Sequence, residues 1–534
     1  MGGKEIISMY APESPFKIYD QKTWWSDSWD PTSYGRNYDF SKSFFEQFRE
    51  LMLEVPWPAL INWNAVNSDF CNYSTDNKNC YLVFGGDFNE NCAYGTYNIN
   101  SRDSFDLFSV NKFELSYEGQ DSGNCYRTIF AFYSKDCQDS AFIFNTSNSH
   151  HCLGCVNLRN ASYQIFNEQY SKEEYERLLQ EFDLGSYSKL EAFKKKFNEF
   201  KLTQPHRFAE AINTVNSTGN NLSNVKNCLR CFDSYRNVED SRDIFLAVDG
   251  VKDAVYCNLI GYGAEQLYES FTTFSGSSRV FLSAVVQSSH DIQYSFNISN
   301  GCSNLFGCVG LRSKKYCILN KQYTKEEYEK LVPKIIKQMT VVPYKDRQGR
   351  TYKYGEYFPS EISPFAYNET IAQAYFPLTK REAFGAGFRW RDLDSRSYEI
   401  TTKAESLPDH IKDVKDSVLS EVIECMHNQQ CHEQCTKALK IVPIELEFYR
   451  KMNLPLPRLC PNCRHYQRLK HRNPLKLWHR QCTCAGEKSD NGIYANQTSH
   501  FHGSNHCPNE FETSYAPERP EIVYCESCYQ AEVQ

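Results

Sequence analysis

KDCQDSAFIFN, residues 135–145, is the stretch that decides the fold class. A small polar turn comes first, and a short alternating apolar run follows it. The same cycle returns every dozen or so residues, in NENCAYGTYNI (89–99), SRDSFDLFSV (101–110), VKDAVYCNLIG (251–261) and SSRVFLSAVVQ (277–287). Strands of about five residues separated by Asn, Asp, Gly and Ser turns, with no helical pattern between them, are typical of a β-solenoid or β-helix. The sequence therefore predicts a mainly β fold with columns of Cys, Phe, Tyr, Ile and Val inside.

Two long segments of the chain are related by duplication. NEQYSKEEYERL (167–178) recurs as NKQYTKEEYEKL (320–331), at an offset of 153 positions. Each copy contains the pattern of a capping box at a helix N-terminus, Ser171 with Glu174 and Thr324 with Glu327. We therefore expect a duplicated β-solenoid with two lobes, residues 61–200 and 201–340, each closed by a capping helix. An aromatic-rich connector, residues 341–420, follows the second lobe.

The composition describes a folded chain with a polar surface. Hydrophobic residues make up 41% and aromatic residues 15% of the 534 residues, so the chain can bury a core. The net charge of -7 gives no global reason to expect binding to nucleic acid or membranes. The first residues lack the apolar core of a signal peptide, and no apolar run reaches membrane-spanning length. We therefore expect a cytoplasmic protein without a membrane partner, whose 23 cysteines are thiols or metal-bound thiolates.

The cysteines divide into two sets. Thirteen lie between Cys71 and Cys317, mostly singly within apolar runs, where a thiol behaves as a small hydrophobe. The other ten lie between Cys425 and Cys528 at spacings typical of metal ligands. A Cys-x-x-Cys knuckle places two thiolates on one zinc ion, and a second pair completes a closed tetrahedral site. Such an ion is structural, because it has no open position for water.

Each of two C-terminal segments contains one predicted structural Zn²⁺ site. In module 1, residues 421–475, the ligands are Cys435, Cys460 and Cys463, with the fourth from Cys431 or Cys425. In module 2, residues 476–534, they are Cys507, Cys525 and Cys528, with the fourth from Cys482 or Cys484. A histidine of the loop that holds His500, His502 and His506 is the alternative fourth ligand in module 2.

The stretch CTKALKIVPIELEFYRKMNLPLPRLCPNCR, residues 435–464, is similar to the treble-clef "probable zinc-ribbon" family. The matching residues are Cys435, Glu445, Phe448, Tyr449, Pro457, Cys460, Cys463 and Arg464, while His432 stands where the family has its first cysteine. The resemblance implies that both modules are small α+β treble-clef units.

The N-terminus resembles the end of module 2. EIISMYAPESPFKIY (5–19) aligns with EFETSYAPERPEIVY (510–524), but Asp20 and Thr23 occupy the positions of Cys525 and Cys528. Residues 1–60 are thus predicted to contain a degenerate, metal-free treble-clef-like unit with a shortened N-terminus and a linker. The order of units resembles that of a bacterial multidomain family in which zinc-ribbon units flank a duplicated β-solenoid, and this implies an architecture but no activity.

A cationic stretch without acidic residues runs from Arg458 to Cys484. Its candidate phosphate-binding residues are Arg464, Arg468, Lys470, Arg472, Lys476 and Arg480. Packing of these side chains on acidic residues of module 2 or on the solenoid is the structural alternative.

Three functions follow as hypotheses. The first is a zinc-binding, non-enzymatic scaffold that binds a protein partner along the solenoid, and the second is an RNA- or DNA-binding protein. The third is a carbohydrate-active β-helix enzyme, which requires a carboxylate cluster in a groove.

Overall fold

A computed structural model describes residues 5–392 and 398–533 of the protein. Residues 1–4 of the N-terminal unit, 393–397 of the connector and 534 of module 2 lie outside the described residues. The helices are α1 (Gln21–Trp25), α2 (Phe44–Glu54), α3 (Lys172–Phe182), α4 (Tyr187–Leu202), α5 (Lys325–Val341), α6 (Ala372–Tyr375), α7 (Lys380–Gly385), α8 (Pro443–Met452), α9 (Pro461–Lys470) and α10 (Glu526–Val533).

Strands are the main regular structure, as the sequence predicts. The N-terminal half contains β1 (Ile18–Tyr19), β2 (Trp57–Pro58), β3 (Asn62–Trp63), β4 (Ser74–Thr75), β5 (Asn111–Glu114), β6 (Gly123–Phe132), β7 (Gln138–Phe144), β8 (His150–Leu153), β9 (Ser162–Ile165), β10 (Glu168–Gln169), β11 (Pro205–Arg207), β12 (Ala211–Val215), β13 (Gly219–Lys226), β14 (Leu229–Glu239), β15 (Arg242–Val248) and β16 (Lys252–Val255). After these come β17 (Asn258–Gly261), β18 (Glu265–Phe274), β19 (Ser278–Gln287), β20 (His290–Gln293), β21 (Phe296–Ile298), β22 (Ser303–Phe306), β23 (Lys315–Ile318), β24 (Lys321–Gln322), β25 (Tyr344–Lys345), β26 (Thr351–Tyr352), β27 (Ile423–Glu424), β28 (Ala438–Leu439), β29 (Trp478–Gln481), β30 (Glu510–Thr513) and β31 (Ile522–Tyr524).

Residues 62–165, here the first ladder, pair in parallel at a constant offset of twelve residues. One column of partners runs unbroken through Val66, Lys78, Glu90, Arg102, Glu114, Tyr126, Gln138, His150 and Ser162. The short strands β5 to β9 belong to this column, and single bridges continue it between them. Each turn of chain therefore stacks on the preceding one with its hydrogen bonds directed along the stack.

The backbone of the first ladder differs from the predicted alternation of strands and turns. From Tyr73 to Phe166 every third residue has a positive φ, so that a corner follows each short extended step. The left-handed conformation costs an L-residue about 1–2 kcal/mol, and the hydrogen bonds between successive turns of chain must offset it. Bulky residues such as Phe130 and Phe142 occupy these corners as well as Asn and Asp.

Small side chains form one inward column of the first ladder, beside an interior cluster that also contains Leu107, Phe113 and Ile143. One inward column, twelve residues apart, consists of Ser68, Cys80, Cys92, Ser104, Ser116, Thr128, Ser140 and Cys152, all buried. Hydroxyls of this column accept backbone N–H groups of the next turn of chain, for example Ser104 Oγ from Ser116 N at 3.0 Å. The thirteen cysteines between Cys71 and Cys317 are all buried free thiols, and many of them belong to the interior clusters of the ladders.

Residues 211–318, here the second ladder, repeat this parallel arrangement with offsets of eleven to thirteen residues. Lys252 pairs with Glu265, which pairs with Ser278, and Ser278 pairs with His290. Within this sheet β14, β15, β17, β18 and β16 pair in a closed ring. The interior is again lined by Cys, Val, Ile, Leu and Ala side chains.

Helices pack on both ladders. Both predicted capping boxes are confirmed, at Ser171 before α3 and at Thr324 before α5. The rings of Phe193 and Phe197 of α4 pack on Phe142 in the first ladder, and Phe44 of α2 packs on Phe306 in the second. In residues 5–392 and 398–533 no helix combines the length and apolar character needed to cross a bilayer.

Candidate metal centres

Module 1 brings four cysteines together from three places in its chain. Cys425 follows β27, Cys435 precedes β28, Cys460 caps the N-terminus of α9, and Cys463 lies in the first turn of that helix. Pro461 occupies the first helical position, where its fixed φ suits the start of a helix and its missing N–H costs nothing. All four cysteines are buried, and their sulfur atoms lie within 4.8 Å of one another.

Module 2 forms a group of the same kind. Cys482 follows β29, Cys507 lies in the loop before β30, Cys525 stands between β31 and α10, and Cys528 lies in the first turn of α10. All four are buried, with sulfur atoms within 4.8 Å of one another. The parallel pairing of β31 with β11 fixes the knuckle of module 2 against the segment that leads into the second ladder.

The sulfur positions fit a tetrahedral ion. Bonds of about 2.3 Å to zinc place the sulfur ligands of a tetrahedral site about 3.8 Å apart. The Cys425 and Cys463 sulfurs are 3.9 Å apart, and Cys507 Sγ lies 3.8 Å from Cys525 Sγ and 3.6 Å from Cys528 Sγ. These Cys/His groups can therefore hold metal ions, and four thiolates would leave such an ion no open coordination position.

The two alternative fourth ligands lie just outside these groups. Cys431 Sγ is 3.7 Å from Cys463 Sγ but belongs to a separate group with His427 and Glu433. Cys484 groups with His500 and His502 and shares Cys528 with the four-cysteine group. His506 is exposed, and its ring nitrogen Nδ1 lies 3.1 Å from the backbone oxygen of Cys507. His427 and Glu433 were not identified from the sequence, where single residues in a loop carry no recognisable spacing. Glu532 of α10, which lies 2.8 Å from the ring of His500, was not identified either.

The N-terminal unit has a hydrogen-bonded pair in place of the second knuckle. Asp20 Oδ1 accepts from the backbone N–H of Thr23 at 3.0 Å, and Thr23 Oγ1 donates to Asp20 Oδ2 at 2.6 Å. Asp20 thereby caps α1, which follows β1 as α10 follows β31. Among the described residues, no metal-binding group includes Asp20 or Thr23.

Three of the predicted phosphate-binding arginines are buried, so the prediction that they face nucleic acid is wrong. Arg464 Nε lies 3.1 Å and Arg468 Nη1 2.8 Å from Asp106 Oδ1, and Arg472 Nε lies 2.8 Å from Asp121 Oδ2. All three guanidinium groups are at most 6% exposed, and desolvated arginines need carboxylate partners. Their partners lie on the ladders, in agreement with the structural alternative.

The other cationic residues of this stretch have local contacts. Lys470 pairs with Glu433, Lys476 lies over the ring of Trp478, and Arg480 donates to the backbone oxygen of Ala516 at 3.2 Å. Lys476 is exposed, but it stands apart from the buried arginines. The cationic stretch therefore does not form the continuous basic surface that its sequence indicates.

Burial and neighbouring charges both shift the pKa values of the carboxylates around the arginines. Burial raises the pKa of Glu445, Glu118 and Asp121, and the neighbouring guanidinium groups oppose that shift. Glu445 also accepts hydrogen bonds from the hydroxyls of Tyr94 and Tyr449, each at 2.9 Å. Module 1 is thus attached to the first ladder by ionic and aromatic contacts at once.

No protein-family model and no curated protein matches this chain. Among solved structures, a protein assigned as an acetyltransferase from Desulfovibrio desulfuricans G20 is 8% identical over 54% of this chain and 85% of that chain, with a TM-score of 0.10. So low a TM-score does not establish a shared fold. Membership of the zinc-ribbon family stays a prediction.

Proposed function

We propose that this protein is a zinc-binding, non-enzymatic scaffold whose metal modules hold two β-solenoid lobes together. The observation that carries the proposal is the pair of buried four-cysteine groups. In a reducing compartment four thiolates favour zinc, and because they fill all four coordination positions the ion has a structural role. None of the 23 cysteines, all within the described residues, forms a disulfide, which supports a cytoplasmic location.

A metal ion in module 1 would act on the lobes through α9. The helix begins at the Cys460–Cys463 knuckle, so an ion bound there fixes its position and direction. Arg464 and Arg468 project from one face of α9, four residues apart, and Arg472 follows just beyond its end. Since Arg472 contacts Asp121 in the first ladder and Asp233 in the second, the knuckle orients a side chain that joins both ladders.

Module 2 makes a second connection near the junction of the ladders. Arg207 of β11 donates to both carboxylate oxygens of Glu526 in α10, each at 2.6 Å. The hydroxyl of Tyr529 in α10 donates to Asn157 Oδ1 in the first ladder at 2.8 Å. The two modules therefore contact different residues of the ladders, so each makes its own connection.

The proposal includes the finer architecture that the sequence indicates. We take the two ladders to be solenoid lobes derived from one duplicated ancestor, and modules 1 and 2 to be treble-clef zinc ribbons. Contacts at equivalent positions support duplication. Asn157 of the first ladder meets Tyr529, and Gly310, which corresponds to Asn157 at the 153-residue offset, lies beside Trp24 of α1. Trp24 in turn corresponds to Tyr529 in the alignment of the N-terminal unit with module 2. A protein partner along the lobes is part of this hypothesis, supported by exposed Phe84 and Phe88 in the first ladder.

Elemental analysis of the purified chain tests the proposal. We expect zinc in the wild-type protein and a lower zinc content in Cys460→Ser and in Cys525→Ser. Cys257→Ser, which replaces a buried thiol of the second ladder, is the matched control and should retain all the metal. Absence of zinc from the wild-type protein, or equal zinc in all variants, would contradict the proposal.

A carbohydrate-active enzyme is the second candidate, and one cavity favours it. The cavity has a volume of about 630 Å³ and is lined by both ladders, including Asp87, Asp121 and Glu210. Burial raises the pKa of Asp87 to about 6 and that of Glu210 to about 7, as a proton donor to a glycosidic oxygen requires. The rings of Tyr97 and Tyr133 also line it and offer faces for sugar rings.

Binding and hydrolysis of neutral oligosaccharides test this candidate. Calorimetric titration with maltotriose and cellotriose, and release of reducing ends from them, should both respond to Asp87→Asn and Glu210→Gln. Glu114→Gln, an exposed carboxyl of the first ladder, is the control. If neither trisaccharide binds or is cleaved, the scaffold proposal stands alone.

A further inference from the structure

A second group of metal-binding side chains lies beside each four-cysteine group. The members are Cys484, His500, His502 and Cys528 in module 2, and His427, Cys431, Glu433 and Cys463 in module 1. Within each group one potential ligand atom per residue lies within 4.8 Å of the others. In both modules the residue shared with the four-cysteine group is the last cysteine of the knuckle, Cys463 or Cys528.

The two histidines of module 2 are held in the orientation of metal ligands. The ring nitrogen Nε2 of His500 is 2.8 Å from Glu532 Oε1, while its Nδ1 faces Cys484 Sγ at 3.1 Å. His502 Nδ1 is 2.7 Å from the backbone oxygen of Asn505, while its Nε2 faces Cys528 Sγ at 3.3 Å. A metal-binding histidine typically donates its other ring N–H to a carboxylate or carbonyl. Each imidazole here has such a partner and turns its second nitrogen toward a thiol sulfur.

Burial shields this arrangement from solvent. The side chains of His500 and Glu532 are fully buried, so their polar atoms have no access to solvent. Cys484 is buried too, and its sulfur accepts a hydrogen bond from Asn496 Nδ2 at 3.2 Å, which suits a thiolate. The group therefore has the features of a site built around a cation.

Module 1 has two polar atoms in close contact but without a hydrogen bond at the corresponding place. His427 Nδ1 and Glu433 Oε2 are 3.0 Å apart, yet neither has a hydrogen-bond partner among the described residues. Glu433 is only 6% exposed, and its other oxygen accepts from Gln467 Nε2 at 3.0 Å and from Lys470. The sulfurs of Cys431 and Cys463 are 3.7 Å apart, close to the separation of two thiolates on one zinc ion. The contact between Glu433 Oε2 and His427 Nδ1 lacks hydrogen-bond geometry, so it compensates the buried carboxylate incompletely, and a bound cation would complete that compensation.

We propose that each module binds two zinc ions, with the thiolate of Cys463 or Cys528 bridging them. The proposal rests on the proposed zinc function and raises the expected count from two ions to four. Each ion then has four protein ligands, and the second ion takes two thiolates and two imidazoles in module 2. In module 2 five thiolates and two divalent ions leave a net charge of only -1, so the second ion also compensates buried negative charge.

Native mass spectrometry of the full-length chain in zinc-containing, reducing buffer counts the ions directly. We expect four zinc ions in the wild-type protein and three in either His502→Ala or Cys431→Ala. His506→Ala, which removes an exposed histidine of the same loop, is the matched control and should keep four. Two ions in the wild-type protein would overturn this inference and leave the proposed function intact, whereas no zinc would overturn both. If the wild-type protein binds three ions, the inference is overturned for the module in which the variant, His502→Ala or Cys431→Ala, binds as many ions as the wild type.

Cadmium replacement supplies a measurement that does not depend on how the variants fold. In the ¹¹³Cd-loaded wild-type protein, a bridging sulfur connects two cadmium nuclei, so we expect scalar coupling between two resonances in each module. Resonances of a four-sulfur site and a mixed sulfur and nitrogen site should both arise from module 2. Two uncoupled four-sulfur resonances for the whole chain would overturn the inference.

Discussion

Arg472 is the side chain that most directly joins the two ladders. Its Nε lies 2.8 Å from Asp121 Oδ2 in the first ladder, and its Nη2 contacts Asp233 Oδ1 in the second. The three side chains are 6%, 1% and 2% exposed, so the charges compensate one another away from water. Removing one partner from such a buried set costs about 3–5 kcal/mol. We expect Arg472→Ala to lower the free energy of unfolding by about that amount, measured by urea denaturation.

Exposed Lys476 provides the control for this substitution. Lys476→Ala should change the free energy of unfolding by less than about 0.5 kcal/mol, because surface substitutions of this kind rarely matter. Adding Asp233→Asn to Arg472→Ala should recover part of the loss, since one unpaired charge is then removed. Equal effects of Arg472→Ala and Lys476→Ala would show that the buried contacts do not stabilise the fold.

Glu210 predicts a dependence of stability on pH. Burial raises the pKa of Glu210 from 4.5 to about 7, against the lowering effect of Arg207 and Arg159. A carboxyl whose folded pKa exceeds its unfolded pKa stabilises the protein most below the unfolded value, and this contribution is lost as pH rises through the folded value. The free energy of unfolding should therefore fall between about pH 4.5 and 7 because of this group.

Glu210→Gln isolates that contribution. The glutamine keeps an oxygen that can accept from Asn145 Nδ2, which lies 3.2 Å from Glu210 Oε1, but it cannot ionise. We expect a flatter stability profile from pH 5 to 8 in urea denaturation of Glu210→Gln, and an unchanged profile for Glu114→Gln. A decline as steep in Glu210→Gln as in the wild type would assign the pH dependence to other groups.

The arginines also show what the sequence cannot supply at the scale of single residues. Their spacing of four indicates one face of a helix, and the charge suggests a phosphate surface. The ladder carboxylates that they meet, among them Asp106 and Asp233, stand 239 to 362 positions away in the chain, whereas Glu445, which Arg464 also meets, stands 19 positions away. Only the stacking of the ladders brings those carboxylates to the helix, so the pattern of charge alone could not decide between a phosphate surface and packing on the solenoid.

At the scale of elements, the capping boxes of α3 and α5 offer a direct test. Ser171 Oγ accepts from Glu174 N at 3.2 Å, and Thr324 Oγ1 accepts from Glu327 N at 3.2 Å. Replacing a capping hydroxyl with alanine typically costs about 1 kcal/mol. We expect Ser171→Ala and Thr324→Ala each to lower the free energy of unfolding by about 1 kcal/mol in urea denaturation.

Ser417→Ala is the control for the capping substitutions. The hydroxyl of Ser417 is exposed and makes no hydrogen bond among the described residues, so its loss should have little effect. A loss at Ser171 or Thr324 no larger than the loss at Ser417 would mean that the helix ends fray without consequence. Hydrogen exchange in the first turns of α3 and α5 would show such fraying.

The capping boxes were predictable because their pattern is local, whereas the backbone of the ladders was not. The sequence indicates a repeat of about a dozen residues and places Cys inside, and both features are present in the structure. It does not indicate a left-handed corner at every third residue, since Phe130, Phe142 and other bulky residues occupy such corners. Their own conformational preference opposes that backbone, and the hydrogen bonds between successive turns of chain override it.

At the scale of the whole molecule, the metal modules and the ladders form one connected arrangement. Module 1 contacts the first ladder through Arg464 and Arg468, and Arg472 continues the contact to the second ladder. Module 2 contacts Arg207 and Asn157, at the junction of the ladders. The cysteine knuckles could be identified from their spacing. Their contacts with the ladders could not, because those contacts join distant parts of the chain.

If modules 1 and 2 hold zinc as proposed, its removal should loosen the contact between the ladders while leaving the ladders folded. Without an ion, the buried thiolates take up protons and no longer join the separate segments of the site, so the N-terminal turn of α9 loses its fixed position and the arginines lose theirs. The ladders keep their own hydrogen bonds and buried cores. A compact chain of 534 residues has a radius of gyration of about 24 Å. We expect the radius of gyration from small-angle scattering to rise after chelation with 1,10-phenanthroline and to return when zinc is added back.

Hydrogen exchange on the same samples separates this outcome from general unfolding. Exchange should increase in α9 and α10 after chelation, while the strands β6, β7, β18 and β19 remain protected. The control is Arg472→Ala with its zinc retained, which should loosen the contact between the ladders and leave α9 protected near Cys463. If chelation leaves the radius of gyration and the exchange of α9 unchanged, the modules do not hold the lobes together. Loss of protection in the strands as well would mean that the metal stabilises the ladders themselves and not only the contact between them.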